Sequence, residues 1–255
     1  MRYFHFLIHL IIIVLVLFIV RGIIYEPFHI PSGSMMPTLL EGDYIGVAKY
    51  AYGLRNPFMD GWLIKADGPR RGDVIVFSGP KDQGFDFVKR VVGLPGERVS
   101  MVAGQLFIND VAVRMNDIGF KRSAEQDRCQ AALMEATTVP DYLLPMPYFR
   151  EHKNYQIKTE NLPDAPSHVV LVERWGEALR DFEVTVPQEA YFVLGDNRHQ
   201  SVDSRVFGSV PRASIRGKAT RILFSTNEDD LPCASPFGKE GSKSVRWYRV
   251  GKRVC

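Results

Sequence analysis

Three cysteines in 255 residues, Cys129, Cys233 and Cys255, are too few and too scattered for a disulfide framework, and no pair has the spacing of metal ligands. One bridge at most can form, and the sequence leaves its pairing open. An excess of either charge is missing as well: 32 Lys and Arg against 29 Asp and Glu give a formal +3. That is no electrostatic footprint for a nucleic acid. There are no internal repeats, no second long apolar run, and little helical periodicity beyond the first two dozen residues. What is present excludes disorder, since 45% of the residues are hydrophobic and 16 Phe and 10 Tyr supply core material.

The one long apolar run is N-terminal. From Phe4 to Val20 it is interrupted only by His5 and His9, and continuing through Arg21 to Tyr25 makes 22 residues. As a helix that is roughly 33 Å, enough to cross a hydrocarbon core of about 30 Å, with Arg21 near enough to the end to snorkel. No small-x-small cleavage site follows convincingly, so residues 1–25 read as a retained transmembrane anchor rather than a discarded signal. Arg2 and Arg21 flank the run, so positive charge does not decide its orientation.

Beyond the anchor the chain reads as mainly β. Short β-branched and aromatic runs at Tyr44–Ala48, Asp73–Phe77, Phe87–Val92, Gln105–Ile108 and Tyr191–Leu194 alternate with Gly, Pro and Asp clusters, a spacing that predicts an antiparallel barrel or sandwich. A catalytic core over 26–97 and 188–230 is expected to carry an inserted β-rich subdomain over 98–187. The stretch from Asn116 to Pro166 differs in composition and holds a short helix candidate near Ala124–Glu135. The apolar stretch Tyr52, Leu54, Phe58, Trp62, Leu63 and Ile64 is long for a loop and suits either a membrane interface or packing on the barrel. Residues 231–255 form a basic tail. From Pro236 onward, Lys239, Lys243, Arg246, Arg249, Lys252 and Arg253 face only Glu240, as in a solvated terminus or one lying on anionic lipid.

Just after the apolar run comes Pro31-Ser32-Gly33-Ser34-Met35-Met36-Pro37, two serines in a glycine-hinged turn. A serine hydroxyl is a weak nucleophile until a base takes its proton. The strand Phe87–Val92 offers one: alternation puts Lys89 on the same face as Phe87 and Val91. A solvated lysine with pKa near 10.4 is useless as a base at neutral pH, and desolvation by apolar neighbours is what makes the neutral amine available. A lysine at a strand edge with its stem on apolar surface is the competing reading.

Four blocks occur in order: Pro31–Leu39, Arg71-Gly72-Asp73-Val74-Ile75-Val76-Phe77, Lys89-Arg90-Val91-Val92-Gly93-Leu94-Pro95-Gly96-Glu97, and Gly195-Asp196-Asn197-Arg198 through Ser201, Asp203, Ser204 and Arg205. With the anchor before them they resemble bacterial type I signal peptidase, the membrane-bound Ser/Lys protease of exported preproteins. The resemblance spans Ile24 to Phe224, thin in the middle and absent from the tail. It implies Ser34 as nucleophile and Lys89 as general base. Ser32 would join the Ser34 N–H in an oxyanion hole, and Ser201 would orient the lysine amine. Asp196 with Arg90, and Asp203 with Arg205, would be supporting ion pairs. A substrate cut after small-x-small (Ala-x-Ala) sequences would bind as an added strand over shallow pockets lined by Ile30, Met35, Leu39, Phe87 and Val88. The resemblance further implies no cofactor and no metal, signal-peptide-bearing preproteins and the lipid bilayer as partners, and a single-pass protein of the bacterial inner membrane with its catalytic domain in the periplasm.

Departures from the pattern are local. His199 and Gln200 follow Asn197-Arg198 where the family has Asp or a similar residue, and a His between Asp196 and Asp203 invites a Ser/His/Asp triad or a metal. Either would leave the Lys89 block unexplained. Other readings are a relative dedicated to one pilin or conjugation protein, a self-cleaving Ser/Lys repressor protease, whose DNA-binding helices are missing, and an inactive tethered binding module.

Overall fold

Antiparallel pairing organises nearly everything beyond the N-terminal helix, in a computed structural model that describes residues 2–19, 25–55, 62–79, 84–118, 155–173, 179–227 and 244–254. In chain order the elements are α1 (Arg2–Ile19), β1 (Tyr25–His29), β2 (Asp43–Ala48), β3 (Gly53–Arg55), β4 (Trp62–Lys65), β5 (Val74–Ser78) and β6 (Asp86–Gly93). There follow β7 (Arg98–Val102), β8 (Gln105–Ile108), β9 (Val111–Ala112), β10 (Arg114–Asp117), β11 (Tyr155–Asn161), β12 (His168–Glu173) and β13 (Phe182–Thr185). The last are β14 (Ala190–Leu194), α2 (Ser204–Phe207), β15 (Val210–Pro211), β16 (Ile215–Asn227) and β17 (Ser244–Val245).

The main sheet runs β1-β2-β16-β5-β6-β14-β15, with β17 added to β16. Its hub is the 13-residue β16. Register shifts at Ile215/Gly217, Ala219/Arg221 and Ile222/Phe224 bend that strand so that it pairs with both β2 and β5. Separate small sheets, β13-β7-β8-β9 and β10-β11-β12, are drawn from residues 98–185. Strands between residues 98 and 185 thus pair among themselves and not with the main sheet. The helix candidate near Ala124–Glu135 lies outside the described residues, as do Phe58, Cys129, Cys233 and Cys255.

Among the described residues, three apolar clusters fill the interior. Ile30, Met35, Leu39, Ile45, Val47, Val74, Val76, Ala219 and Ile222 form one under the serine turn. Ile75, Phe77, Val91, Tyr191, Val193 and Ile215 form the next across the sheet, and Val92, Val99, Met101, Leu106, Phe192 and Leu194 join the main sheet to β7 and β8.

Two expectations change at the ends of the chain. The N-terminal helix does not reach Tyr25, which opens β1 opposite Ala48 of β2. Pairing satisfies the Tyr25–His29 backbone across five residues in register, and Pro27 in the middle of that run has no N–H for a helix. Among the described residues no helix is long and apolar enough to cross a membrane. At the other end, Ser244–Val254 is no solvated tail. Thr226 and Asn227 pair with Val245 and Ser244, and Arg249, fully buried, donates from Nη2 to Asp43 Oδ2 at 2.6 Å and to the Thr38 carbonyl at 3.0 Å. A basic composition reads as solvation, but here one cation is spent inside the fold. In the apolar stretch, Tyr52 is buried with its hydroxyl donating to Asp73, whereas Leu63 and Ile64 are exposed on β4.

Candidate active site

The serine turn is a single 3-10 turn, Gly33–Met35, entered from an extended Ser32. Met35 anchors it by burial in the cluster below, which leaves Ser32 exposed and Ser34 half-buried at the surface. Across from it β6 carries Lys89, opposite Ile75 of β5. Lys89 Nζ lies 2.6 Å from Ser34 Oγ and 3.0 Å from the Val88 carbonyl oxygen, and the same ammonium sits over the Phe87 ring, 5.6 Å from its centroid.

Lys89 is only 3% exposed. Burial pushes its pKa down from 10.5 to about 8, against the carboxylates of Asp203 and Asp196, with Arg205 adding to the downward pull. The two carboxylates would favour the charged amine far more if each were free. Neither is. Arg90 donates to Asp196 from Nε at 2.8 Å and from Nη2 at 2.7 Å, and Thr38 Oγ1 donates to Asp196 Oδ2 at 2.5 Å. Burial pushes the Asp196 carboxyl up, yet Arg90 outweighs it and the group stays ionised. Asp203 accepts from Arg205 Nε at 2.8 Å, from Nη2 at 2.7 Å and from the Gly195 N–H at 3.0 Å, capping α2. The charge beside the lysine is thus neutralised locally, and desolvation decides its protonation.

The block Gly195–Arg198 runs beneath the serine turn. A Cβ at Gly195 would stand 2.2 Å from Ser201 Oγ and 2.6 Å from the Ser34 carbonyl oxygen, so only glycine fits there. Ser201 is thereby brought close to Ser34, but its buried hydroxyl makes no hydrogen bond among the described residues, to Lys89 or otherwise. Ser32 Oγ is 3.5 Å from Ser34 Oγ. Of the pocket candidates, Ile30, Met35 and Leu39 are buried core at 3%, 1% and 0% exposure. Phe87 and Val88 alone of the five stay partly exposed.

Sequence reasoning missed a buried network behind this block. Arg198 donates to Glu160 at 2.6 and 2.5 Å, and His168 Nε2 lies 3.0 Å from the same carboxylate. Burial pushes Glu160 up, while Arg198 and the contact with His168 pull it well below the usual carboxylate range. His199 Nδ1 accepts from the Glu173 N–H at 3.0 Å, bracing β12. Asn197 carries no role in the sequence beyond its place in the Gly195–Arg198 motif, yet its backbone N–H donates to Ser34 O at 3.1 Å and its Nδ2 to Gly33 O at 3.2 Å.

The arrangement provides a hydroxyl against a desolvated amine, on a surface turn held from beneath. Comparison with known proteins points the same way. The family model for signal peptidase, peptidase S26, matches residues 3–224. A signal peptidase I of Buchnera aphidicola subsp. Schizaphis graminum is 35% identical over 241 residues, 85% of this chain and 74% of that protein. One from Rickettsia canadensis is 34% identical over 225 residues, 84% and 77% of the two chains. A solved signal peptidase I from Enterococcus faecalis V583 is 28% identical and covers 61% of this chain and 100% of that one, at a TM-score of 0.34 that is too low to bear on the fold. The identity and coverage shared with these relatives put the chain in the signal peptidase family, peptidase S26.

Proposed function

We propose that this chain is a membrane-anchored serine endopeptidase that removes N-terminal signal peptides from exported preproteins, cutting after small-x-small sites with Ser34 as nucleophile and Lys89 as general base. The buried amine 2.6 Å from the Ser34 hydroxyl supports this most directly. With a pKa of about 8, about one lysine in ten is neutral at pH 7. A neutral amine takes the Ser34 proton as Oγ attacks the scissile carbonyl, and returns it to the leaving amine. The acyl group stays on Ser34 until a water, deprotonated by the same lysine, releases it. The Ser34 N–H and the Ser32 hydroxyl steady the oxyanion. Ser201, packed beside Gly195, orients the amine once substrate is in place. Arg90 with Asp196 holds the last block to the catalytic strand, and Arg205 with Asp203 braces that block internally.

The anchor is α1 together with the apolar residues that follow it. It tethers the catalytic domain to the periplasmic face of the bacterial inner membrane, so that a substrate held in the bilayer by its own signal helix presents its cut site at that height. The preprotein lies as an extended strand beside Phe87 and Val88, whose modest apolar surfaces suit small side chains. Incubating the detergent-solubilised protein with an Ala-x-Ala preprotein, beside Ser34→Ala and Lys89→Ala variants, tests this. Cleavage by the parent alone is expected. Cleavage surviving in either variant overturns the dyad, and none by the parent overturns the activity.

A further inference from the structure

Gly33 and Ser34 share one peptide unit, with the Gly33 carbonyl at one end and the Ser34 N–H at the other. In a planar trans peptide these two groups point in opposite directions. Whatever holds the Gly33 carbonyl therefore aims the Ser34 N–H. Glycine makes this hold necessary, because without a Cβ its backbone turns over readily and nothing in its own side chain fixes the plane.

Two donors meet the Gly33 oxygen. The Met36 N–H closes the 3-10 turn at 3.0 Å, and Asn197 Nδ2 reaches it from outside at 3.2 Å. Asn197 also donates its backbone N–H to the Ser34 oxygen at 3.1 Å, so one residue clamps the carbonyls on both sides of the Ser34 N–H. The clamp is itself immobile. Asn197 is fully buried and bridges to Leu171 of β12, where the Leu171 N–H donates to Asp196 O and the Arg198 N–H to Leu171 O at 2.8 and 2.9 Å. On one side Asp196 is gripped by Arg90, and on the other Arg198 is gripped by Glu160. The asparagine thus has fixed neighbours, and its Nδ2 reaches the serine turn.

We propose that Asn197 is a positioning residue that locks the Gly33–Ser34 peptide plane and so directs the Ser34 N–H at the developing oxyanion. It takes no proton and touches no substrate atom. The proposal rests on Ser34 being the nucleophile, and it extends that role to a side chain far away in sequence. Its consequence is selective: losing the lock weakens binding of the tetrahedral species and leaves ground-state binding and the Lys89 titration in place.

The test uses the full chain in detergent with Asn197→Ala and Asn197→Leu. The second variant keeps the volume and the backbone donor but removes the side-chain donor without adding a charge near Lys89, and it serves if the first melts at lower temperature than the parent. Each is assayed on an Ala-x-Ala preprotein and inhibited by a peptide aldehyde, which forms a tetrahedral adduct with a serine, and by the matching peptide alcohol, which forms none. A fall in kcat of about ten- to a hundredfold is expected, with KM within twofold, a parallel loss of aldehyde affinity, unchanged alcohol affinity and an unmoved pH midpoint. Unchanged kcat, equal loss of both inhibitors, or a shifted midpoint overturns the proposal. Cleavage by Ser34→Ala would instead overturn the nucleophile, a separate outcome that the Asn197 variants do not mimic.

Discussion

Arg90 grips both oxygens of Asp196, fully buried, one residue along the strand from Lys89. The second pair, Arg205 with Asp203, lies two residues apart within the last block. Both carboxylates push the Lys89 amine toward its charged form, and Arg205 pulls the other way.

Arg205 lowers the Lys89 pKa, so Arg205→Ala raises it, both by removing a cation and by freeing Asp203. The midpoint of the pH–rate profile is expected to move alkaline from about 8. Activity then drops at pH 7 and recovers at pH 10. A profile displaced to the acid side, or an equal loss at all pH values, contradicts this electrostatic role.

Arg90→Ala leaves Asp196 charged and unpaired in the interior. The expected loss is about 3 to 5 kcal/mol of folding stability, read as a lower urea midpoint. A midpoint unchanged from the parent would show that the pair carries no structural weight.

Lys89 itself costs stability. Its folded pKa, about 8, lies below the ordinary 10.5. Below pH 8 both folded and unfolded states are protonated and the penalty of the buried cation is fully present. Between 8 and 10.5 the folded state sheds its proton first, and the penalty fades as pH rises. Lys89→Met is therefore expected to stabilise the fold by about 3 kcal/mol at pH 7, with the gain shrinking toward pH 10.5, while cleavage is lost. Thermal melts across that range check it, and a destabilised variant at pH 7 would refute it.

The C-terminal segment belongs to the fold. Arg249→Ala takes from buried Asp43 the guanidinium that grips both its oxygens, leaving beside it Ser225 Oγ at 2.6 Å and the more distant Arg246 at 3.6 Å. A loss of about 3 kcal/mol or more is expected, whereas exposed Arg253→Ala is expected to stay within about 0.5 kcal/mol. Equal effects of the two substitutions in urea melts would return the segment to the status of a tail.

What the sequence made legible was local. The alternation of Phe87, Lys89 and Val91 placed the amine on an apolar face because a strand's period is two, and the glycine-hinged turn marked Ser34 because few segments need two serines around a glycine. Charged partners far apart in the chain were not legible. Glu160 and Arg198 lie 38 residues apart, and Asp43 and Arg249 lie 206 apart, and nothing in a solvated-looking Arg or Glu marks it as buried until the strands between them are paired. The same limit hid Asn197, whose task depends on Gly33, 164 residues earlier. The start of β1 at Tyr25 was hidden differently, since an apolar run does not show where its helix gives way to a strand that depends on Ala48 for pairing.

The pH dependence of kcat/KM on an Ala-x-Ala preprotein tests the Ser34–Lys89 dyad most directly, because it reports the base in the free enzyme. The expected profile rises with pH through a midpoint near 8 and levels off above it, and is absent in Lys89→Ala. A profile flat from pH 5 to 9, or one surviving the loss of Lys89, would contradict a buried lysine as the base.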